Sequence, residues 1–346
     1  MIVRRTMGLV AAVSIVPLSM VTLTVPAQAT GARFSGTALG IVFYPNPVQQ
    51  LGRQDLTDSK DADSPEFAPA YRRVQLTRLD GSGTLTGAYV KVKSSTGSAA
   101  HAVSGAFPGY HRDSDQFEQV MGYYWVTTAQ SYLQQLGFGS SLRPVNQRQI
   151  ELRIDQYGGD NSFFRDDKAN ITLGKGGVDD AEDAEVIVHE YGHSVQDGQV
   201  PGFGTSEEAG SIGEGFGDYL AVAVTSWAAG RPTLTPEACV ADWDSVSYTR
   251  KIPHCLRRID GTKTYPSDLA GEVHADGEIW SRALLDIRTA LGDTKGTTLI
   301  VEAQFAFAPD TTFRDAALAT VDSAQRLYGA SAARAVTTAF TARGIL

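Results

Sequence analysis

The spacing of apolar and polar positions divides the chain into two unlike halves. From Phe34 to about Ile171, short apolar runs are separated by Gly, Asp, Ser and Pro, the pattern of strands bounded by turns. Gly40-Ile41-Val42-Phe43-Tyr44, Arg73-Val74-Gln75-Leu76 and Ala88-Tyr89-Val90-Lys91-Val92 are predicted strands. Asp80-Gly81-Ser82-Gly83 between the last two has the residues of a tight turn, so those runs are expected as a hairpin or near neighbours. One helix interrupts this half at about Asp115 to Leu136, where Phe117, Val120, Met121, Tyr124, Ala129 and Leu133 follow helical spacing.

After Val178 the period becomes helical. Helices are predicted over Asp179 to Gln196, Ser211 to Trp227, His274 to Leu291, Asp310 to Tyr328 and Ser331 to Arg343. The first opens on Asp179, Asp180, Glu182, Asp183 and Glu185, charges that suit the positive end of a helix dipole. The expected fold class is α+β, with a β-rich lobe over residues 30–178 and a mainly helical lobe over 179–346 meeting at a cleft.

Composition adds a compartment. Arg4 and Arg5 precede an apolar run from Gly8 to Val25, broken by Pro17, and Ala27-Gln28-Ala29 supplies small residues for cleavage. Residues 1–29 therefore read as a signal peptide, and the protein as secreted with a mature start near Thr30. No later apolar run has the length of a membrane span, so no membrane is expected for the mature form. A net charge of −9 argues against nucleic acid or an anionic membrane surface as the main partner. Cys239 and Cys255, sixteen positions apart in an exported chain, read as one disulfide clipping a loop.

The sharpest motif is His189-Glu190-Tyr191-Gly192-His193. Residues four apart share a helix face, so both imidazoles can meet one zinc ion about 2 Å away. Glu190, on a neighbouring part of that face, can reach a water without binding the metal. A catalytic site needs a third protein ligand and one open position. Glu214 in Gly213-Glu214-Gly215-Phe216-Gly217-Asp218-Tyr219 is the candidate, because Asp218 one turn later can hold a ligating histidine from behind. Glu207 and Glu208 lack an acid four residues on, and Gln199 stands where the three-histidine variant needs its third histidine.

These residues resemble the gluzincin metallopeptidases, in particular the thermolysin-like and fungalysin-like groups, where Glu-x-x-x-Asp follows the His-Glu-x-x-His helix. Asn161-Ser162-Phe163-Phe164 resembles a segment that precedes the strand pairing with substrate, which would be Asn170-Ile171-Thr172-Leu173-Gly174. Leu256-Arg257 and Val273-His274 resemble further family motifs, as do the closing segments from Phe313 through Leu327-Tyr328-Gly329 to Phe340. The resemblance runs from about Asp115 onward. It implies the two-lobed zincin fold, with the zinc helix on the cleft floor. Thermolysin-like calcium ligands and the tyrosine that partners the family histidine find no counterpart, so the chain looks nearest to bacterial fungalysin-type relatives.

From this resemblance His189, His193 and Glu214 are the expected zinc ligands and Glu190 the general base. His274 would steady the oxyanion, and Asp218 and Asp268 would orient histidines. Arg257 would contact a substrate carbonyl, Asn161 and Ser162 the peptide backbone, and Val186 with Leu256 an apolar pocket for the residue after the cleaved bond. The implied protein is a monomeric zinc endopeptidase acting on proteins or peptides. A gluzincin aminopeptidase and a non-catalytic secreted binding protein stay open as alternatives. Calcium is possible but unsupported: Asp242-Trp243-Asp244 reads as a solvated loop and the 179–185 run as a helix start. His101, His111 and His254 read as surface residues.

Overall fold

A computed structural model describes residues 36–94, 96–230 and 232–346; the expected signal peptide lies outside them. Strand β1 (Ala38–Val42) pairs antiparallel with β2 (Arg72–Leu76), and the short helix α1 (Pro47–Leu51) lies between them in sequence. The ladder stops ahead of Pro45, which has no N–H to give, so Phe43 and Tyr44 of the predicted strand fall outside β1.

A second sheet has the order β3 (Val90–Ser94), β4 (Ile150–Tyr157), β6 (Asn170–Gly174), β5 (Phe163–Arg165). The first three run parallel and β5 is antiparallel at the edge. Helix α2 (Asp115–Gln135), close to its predicted bounds, makes the crossover from β3 to β4. The expected hairpin around Gly81 reduces to an isolated antiparallel bridge between Leu79 and Gly87.

This order corrects one expectation. Asn170–Gly174 is an interior strand, buried along its whole length, and has no free edge. The open edge belongs to β5, whose residues are half-buried or exposed. Ile171 and Leu173 are the apolar residues that take the inner position, while Phe163-Phe164-Arg165 is short and ends in charge.

Helices α3 (Ala184–Gln199) and α4 (Glu207–Ala229) follow, then β7 (Cys239–Val240) paired with β8 (Arg257–Arg258). Helices α5 (Val273–Leu291), α6 (Asp293–Ala303), α7 (Phe313–Tyr328) and α8 (Ala330–Thr341) close the chain. Helix α6 was not among the predicted helices; it begins directly after Gly292, where the predicted α5 pattern ends. Cys239 and Cys255 form the expected disulfide, bracing the β7–β8 loop. Closing a loop of that length stabilises by about 3 kcal/mol in the chain-entropy account. One core cluster takes in apolar side chains from both halves, from Ala38 to Ile345. No helix among the described residues is long and apolar enough to cross a membrane.

The acidic run departs from its expected role. α3 begins at Ala184, and Asp183 caps it by accepting from the Glu185 N–H at 2.9 Å. Asp179, Asp180, Glu182, Asp183 and Glu185 are all buried. Glu182 is held by Arg112 at 2.8 Å and by the Trp243 indole at 3.0 Å. Glu185 accepts from Gln49 at 2.8 Å and from the Ala241 N–H at 2.8 Å. Asp242-Trp243-Asp244 is likewise buried rather than solvated, as is His254, which meets the Gln54 carbonyl at 2.9 Å. Partners further along the chain take these charges in, and helical patterning carries no trace of them.

Asp179 instead joins Glu118 and Asp155 in a buried group whose ligand atoms lie within 4.8 Å of one another. Neither Asp155 oxygen has a hydrogen-bond partner. Burial pushes Asp155 up to about 6 and Asp179 up to about 8, and lifts Glu118 well above the carboxylate range. A carboxyl raised by folding stabilises fully below its unfolded pKa, and that contribution is lost as pH climbs through the folded value. In buffer free of divalent cations, wild-type stability should therefore fall between roughly pH 5 and pH 8. Thermal unfolding of Asp155→Asn should show a shallower fall, gaining about 2 kcal/mol on the wild type by the alkaline end. Parallel pH profiles for the two proteins would refute this account of the cluster.

Candidate functional site

Helix α3 presents His189 and His193 from consecutive turns, with their Nε2 atoms 3.2 Å apart. Helix α4, capped by Ser206, crosses beside it and brings Glu214 to the same point. Glu214 Oε2 lies 3.1 Å from His189 Nε2, and Oε1 lies 3.4 Å from His193 Nε2. The approach depends on Gly217: a Cβ there would sit 2.7 Å from His189 Nδ1, inside the imidazole's space. Gly215 does the same toward α5, where a Cβ would lie 2.4 Å from the Gly277 carbonyl oxygen. Thus α4 is stripped of side chains where it meets its neighbours, and the functional groups fill the gap.

Behind the triangle, His189 Nδ1 meets Asp218 Oδ1 at 2.9 Å. Arg257 grips that carboxylate with two bonds of 2.7 Å, from Nε and Nη2. In the neutral ring the Asp218 contact places the His189 proton on Nδ1 and leaves the Nε2 lone pair facing His193 and Glu214. Two such ring nitrogens and a carboxylate oxygen repel one another unless a metal ion, or without one a second proton on His189, stands between them. Glu214 Oε2 is buried without a properly aligned hydrogen bond, although His189 is 3.1 Å away. Ligand atoms about 2.0–2.1 Å from a tetrahedral centre lie about 3.3–3.4 Å from each other, close to the three edges seen here. The donor set fits a divalent metal.

Electrostatics divides the carboxylates. Burial pushes Glu190 up to about 7; its Oε2 is buried and unpartnered. Burial also opposes charge on Glu214, yet His193 and His189 hold it below the usual carboxylate range. Asp218, opposed by burial but paired with Arg257 and His189, is lowered to about 2. Burial alone would lower both histidines; Asp218 and Glu214 reverse this for His189, which rises to about 10. His193, with burial and the charge on its neighbours against it, falls to about 4.

His274, at the first turn of α5, points its Nε2 at Glu214 Oε2 from 3.3 Å. Its other nitrogen is held by Glu272 at 2.6 Å, which corrects the expected orienting residue. Asp268 is exposed and turned away, accepting from the Thr264 N–H at 2.8 Å and hydroxyl at 2.9 Å. Glu272 is the helix cap, two residues from the histidine, so one carboxylate serves both the backbone and the ring. The rival ligand Glu208 is spent on the Phe313 N–H at 2.6 Å and the Tyr265 hydroxyl at 3.0 Å.

A cavity of about 430 Å³ opens beside these groups. It is lined by Asn161, Ser162, Val186, Leu256 and Arg257, so the sequence-predicted substrate residues gather with the metal-type cluster. Asp180, Asp244 and Tyr248 line it as well and were missed. The sole signal for the two acids was their place in runs read as a helix start and as a solvated loop.

A family model for the fungalysin metallopeptidases (M36) matches residues 171–345. The chain belongs to this family. Among similar proteins, an extracellular metalloproteinase MEP from Fusarium vanettenii is 32% identical over 127 residues, covering 34% of this chain and 20% of that protein. An extracellular metalloproteinase mep from Aspergillus flavus is 28% identical over 126 residues, 34% of this chain and 20% of that protein. The fungalysin chain thus matches about one fifth of the length of these relatives. Its fold is similar to a solved precursor of protealysin, a metalloproteinase from Serratia proteamaculans. The TM-score is 0.54 at 16% identity, over 78% of this chain and 92% of that one. The mixed α+β, thermolysin-like zincin architecture expected from the sequence is therefore the one found.

Family membership implies a metal, and the Asp218 contact makes its grip testable. In this fungalysin, Asp218→Asn should weaken zinc binding by roughly 10- to 100-fold in chelator competition. The circular dichroism spectrum should be retained. Unchanged affinity would show that Asp218 serves only the α4–β8 packing.

Proposed function

We propose that this fungalysin is a secreted zinc-dependent metalloendopeptidase that hydrolyses internal peptide bonds. The observation that carries the reading is the triangle of His189 Nε2, His193 Nε2 and the Glu214 carboxylate, with edges of 3.1 to 3.4 Å. Those three residues would hold the zinc. When bound there, zinc supplies a Lewis acid and brings the pKa of water toward neutrality.

The chain's own groups account for the proton traffic. Glu190 lines the cavity beside the triangle, with one carboxylate oxygen unpartnered and its pKa raised by burial to about 7. A base tuned near neutrality takes a proton from the attacking water and returns it to the departing amine. His274 stands across from it, and its contact with Glu272 leaves Nε2 free to donate to a developing oxyanion. Arg257 locks Asp218 with Nε and Nη2, and as a residue of the cavity lining it keeps Nη1 as the donor for a substrate carbonyl. Asn161 and the open edge of β5 are the backbone groups best placed to receive an extended peptide by strand addition.

Edge pairing reads backbone and needs no chain end, which supports cleavage inside a chain. Residues 1–29 have the composition of an export signal, and similar proteins carry extracellular names, which supports secretion. The substrates are then proteins or peptides, met by a monomer. Zinc-loaded protein should cleave peptides blocked at both ends. Glu190→Gln should keep a full zinc content and lose at least a hundredfold in kcat/KM, as expected for loss of a general base. Zinc-loaded wild type that cleaves free-ended peptides alone, or nothing, refutes the proposal.

A further inference from the structure

The cavity beside the metal-type triangle has a feature that peptide hydrolysis does not require. Asp160, Asp180 and Asp244 bring a carboxylate oxygen each to within 4.8 Å of one another. Asp180 and Asp244 line the cavity itself, and both are buried, at 2% and 3% exposure. Asp160 accepts the Tyr248 hydroxyl at 2.6 Å. Asp180 takes the Ser162 hydroxyl. Among the described residues none donates a hydrogen bond to the Asp244 carboxylate, whose Oδ1 is buried without a partner, and Asp244 lies in the wall of the cavity. A buried carboxylate with no donor is unfavourable by itself, so the arrangement calls for a positive group arriving from the open side.

Arg257 eases the charge on Asp244 without pairing with it. Among the described residues no lysine or arginine forms an ion pair with any of the three. Arg257 faces the same cavity but commits Nε and Nη2 to Asp218. Burial first, and the repulsion of neighbouring acids after it, lift Asp180 to about 7 and Asp244 well above the carboxylate range. Val186, Val240 and Leu256 line the same cavity and add apolar surface beside the acids. An aliphatic stem ending in a cation matches a slot with apolar sides and a carboxylate end.

We infer that this slot is the subsite for the residue after the cleaved bond, and that it selects lysine or arginine through Asp244 and Asp180. The inference rests on the proposed peptidase reading and alters one part of it: the pocket expected to be apolar has apolar walls and an acidic end.

The test uses zinc-loaded protein and matched, end-blocked, internally quenched peptides that differ only in Lys or Leu after the cleaved bond. The Lys peptide should be preferred, and the ratio of kcat/KM for Lys over Leu should fall by roughly 30-fold or more in Asp244→Asn, the loss expected when one partner of a buried ion pair is removed. Asp180→Asn should lower the same ratio. A binding readout stands beside it: zinc-loaded Glu190→Gln should bind the Lys peptide more tightly than the Leu peptide, and adding Asp244→Asn should erase the difference. Cleavage with a Leu preference, or a Lys preference untouched in both variants, overturns the inference and leaves the peptidase reading standing. Calcium bound at the slot in wild type and lost in Asp244→Asn also overturns it, by making the acids a metal site. Failure to cleave any peptide overturns both.

Discussion

The close approach of two helices at Gly217 is the constraint on which the site depends. The His189 ring occupies the space a side chain at 217 would fill, and from there it touches Asp218 on one side and the Glu214 carboxylate on the other. Each glycine inside a helix costs roughly 1 kcal/mol relative to alanine, and α4 carries three in five residues, at 213, 215 and 217. Such a helix is poor by propensity. It persists because its apolar face is buried in the common core, with Ile212, Phe216, Tyr219 and Leu220 almost fully enclosed. Packing energy offsets backbone entropy, and the gain is a geometry in which two helices place three ligand-type atoms within one coordination radius.

Charge is arranged with the same economy. The run from Asp179 to Glu185 enters the interior as five acids with different fates. Glu182 meets a buried arginine, and Asp183 and Glu185 are saturated by backbone N–H groups and side-chain amides, so these three stitch α3 to α1 and to the β7 loop. Asp179 and Asp180 are left facing other carboxylates. Buried acids with complete partners are structural, whereas those without point to a proton or a cation that must be shared. On this criterion the run contains both a scaffold, at Glu182, Asp183 and Glu185, and an acid of the cavity lining, at Asp180.

Much of the site was legible because its spacing is local. Histidines four apart on a helix, and Glu214 four before Asp218, can be read from periodicity once a helix is assumed, and α2, α3 and α4 are all where apolar spacing puts them, within a few residues. Properties set by neighbours in space were not legible. Asn170–Gly174 and Phe163–Arg165 are both short apolar runs, and nothing in either says which lies at the edge; that is decided by β4, which pairs with β6. Asp268 and Glu272 are both acids ahead of His274, and the choice fell to the residue that also caps α5. The solvated reading of Asp242 and Asp244 failed because Asn46, some two hundred residues away, enters the same interior and donates to Asp242 at 2.7 Å.

Two carboxylates in one cavity, Glu190 and Glu214, show how environment separates function. Both are largely enclosed, so desolvation drives each toward the neutral form. Glu214 faces two imidazoles, whose attraction outweighs that penalty and keeps it charged, the condition for holding a cation. Glu190 sits one residue from His189 on the helix, but its free oxygen turns to the cavity, where Asp180 and Glu214 add repulsion to the burial, and its proton affinity moves to neutrality. Had the two carboxylates shared one environment, neither assignment would follow.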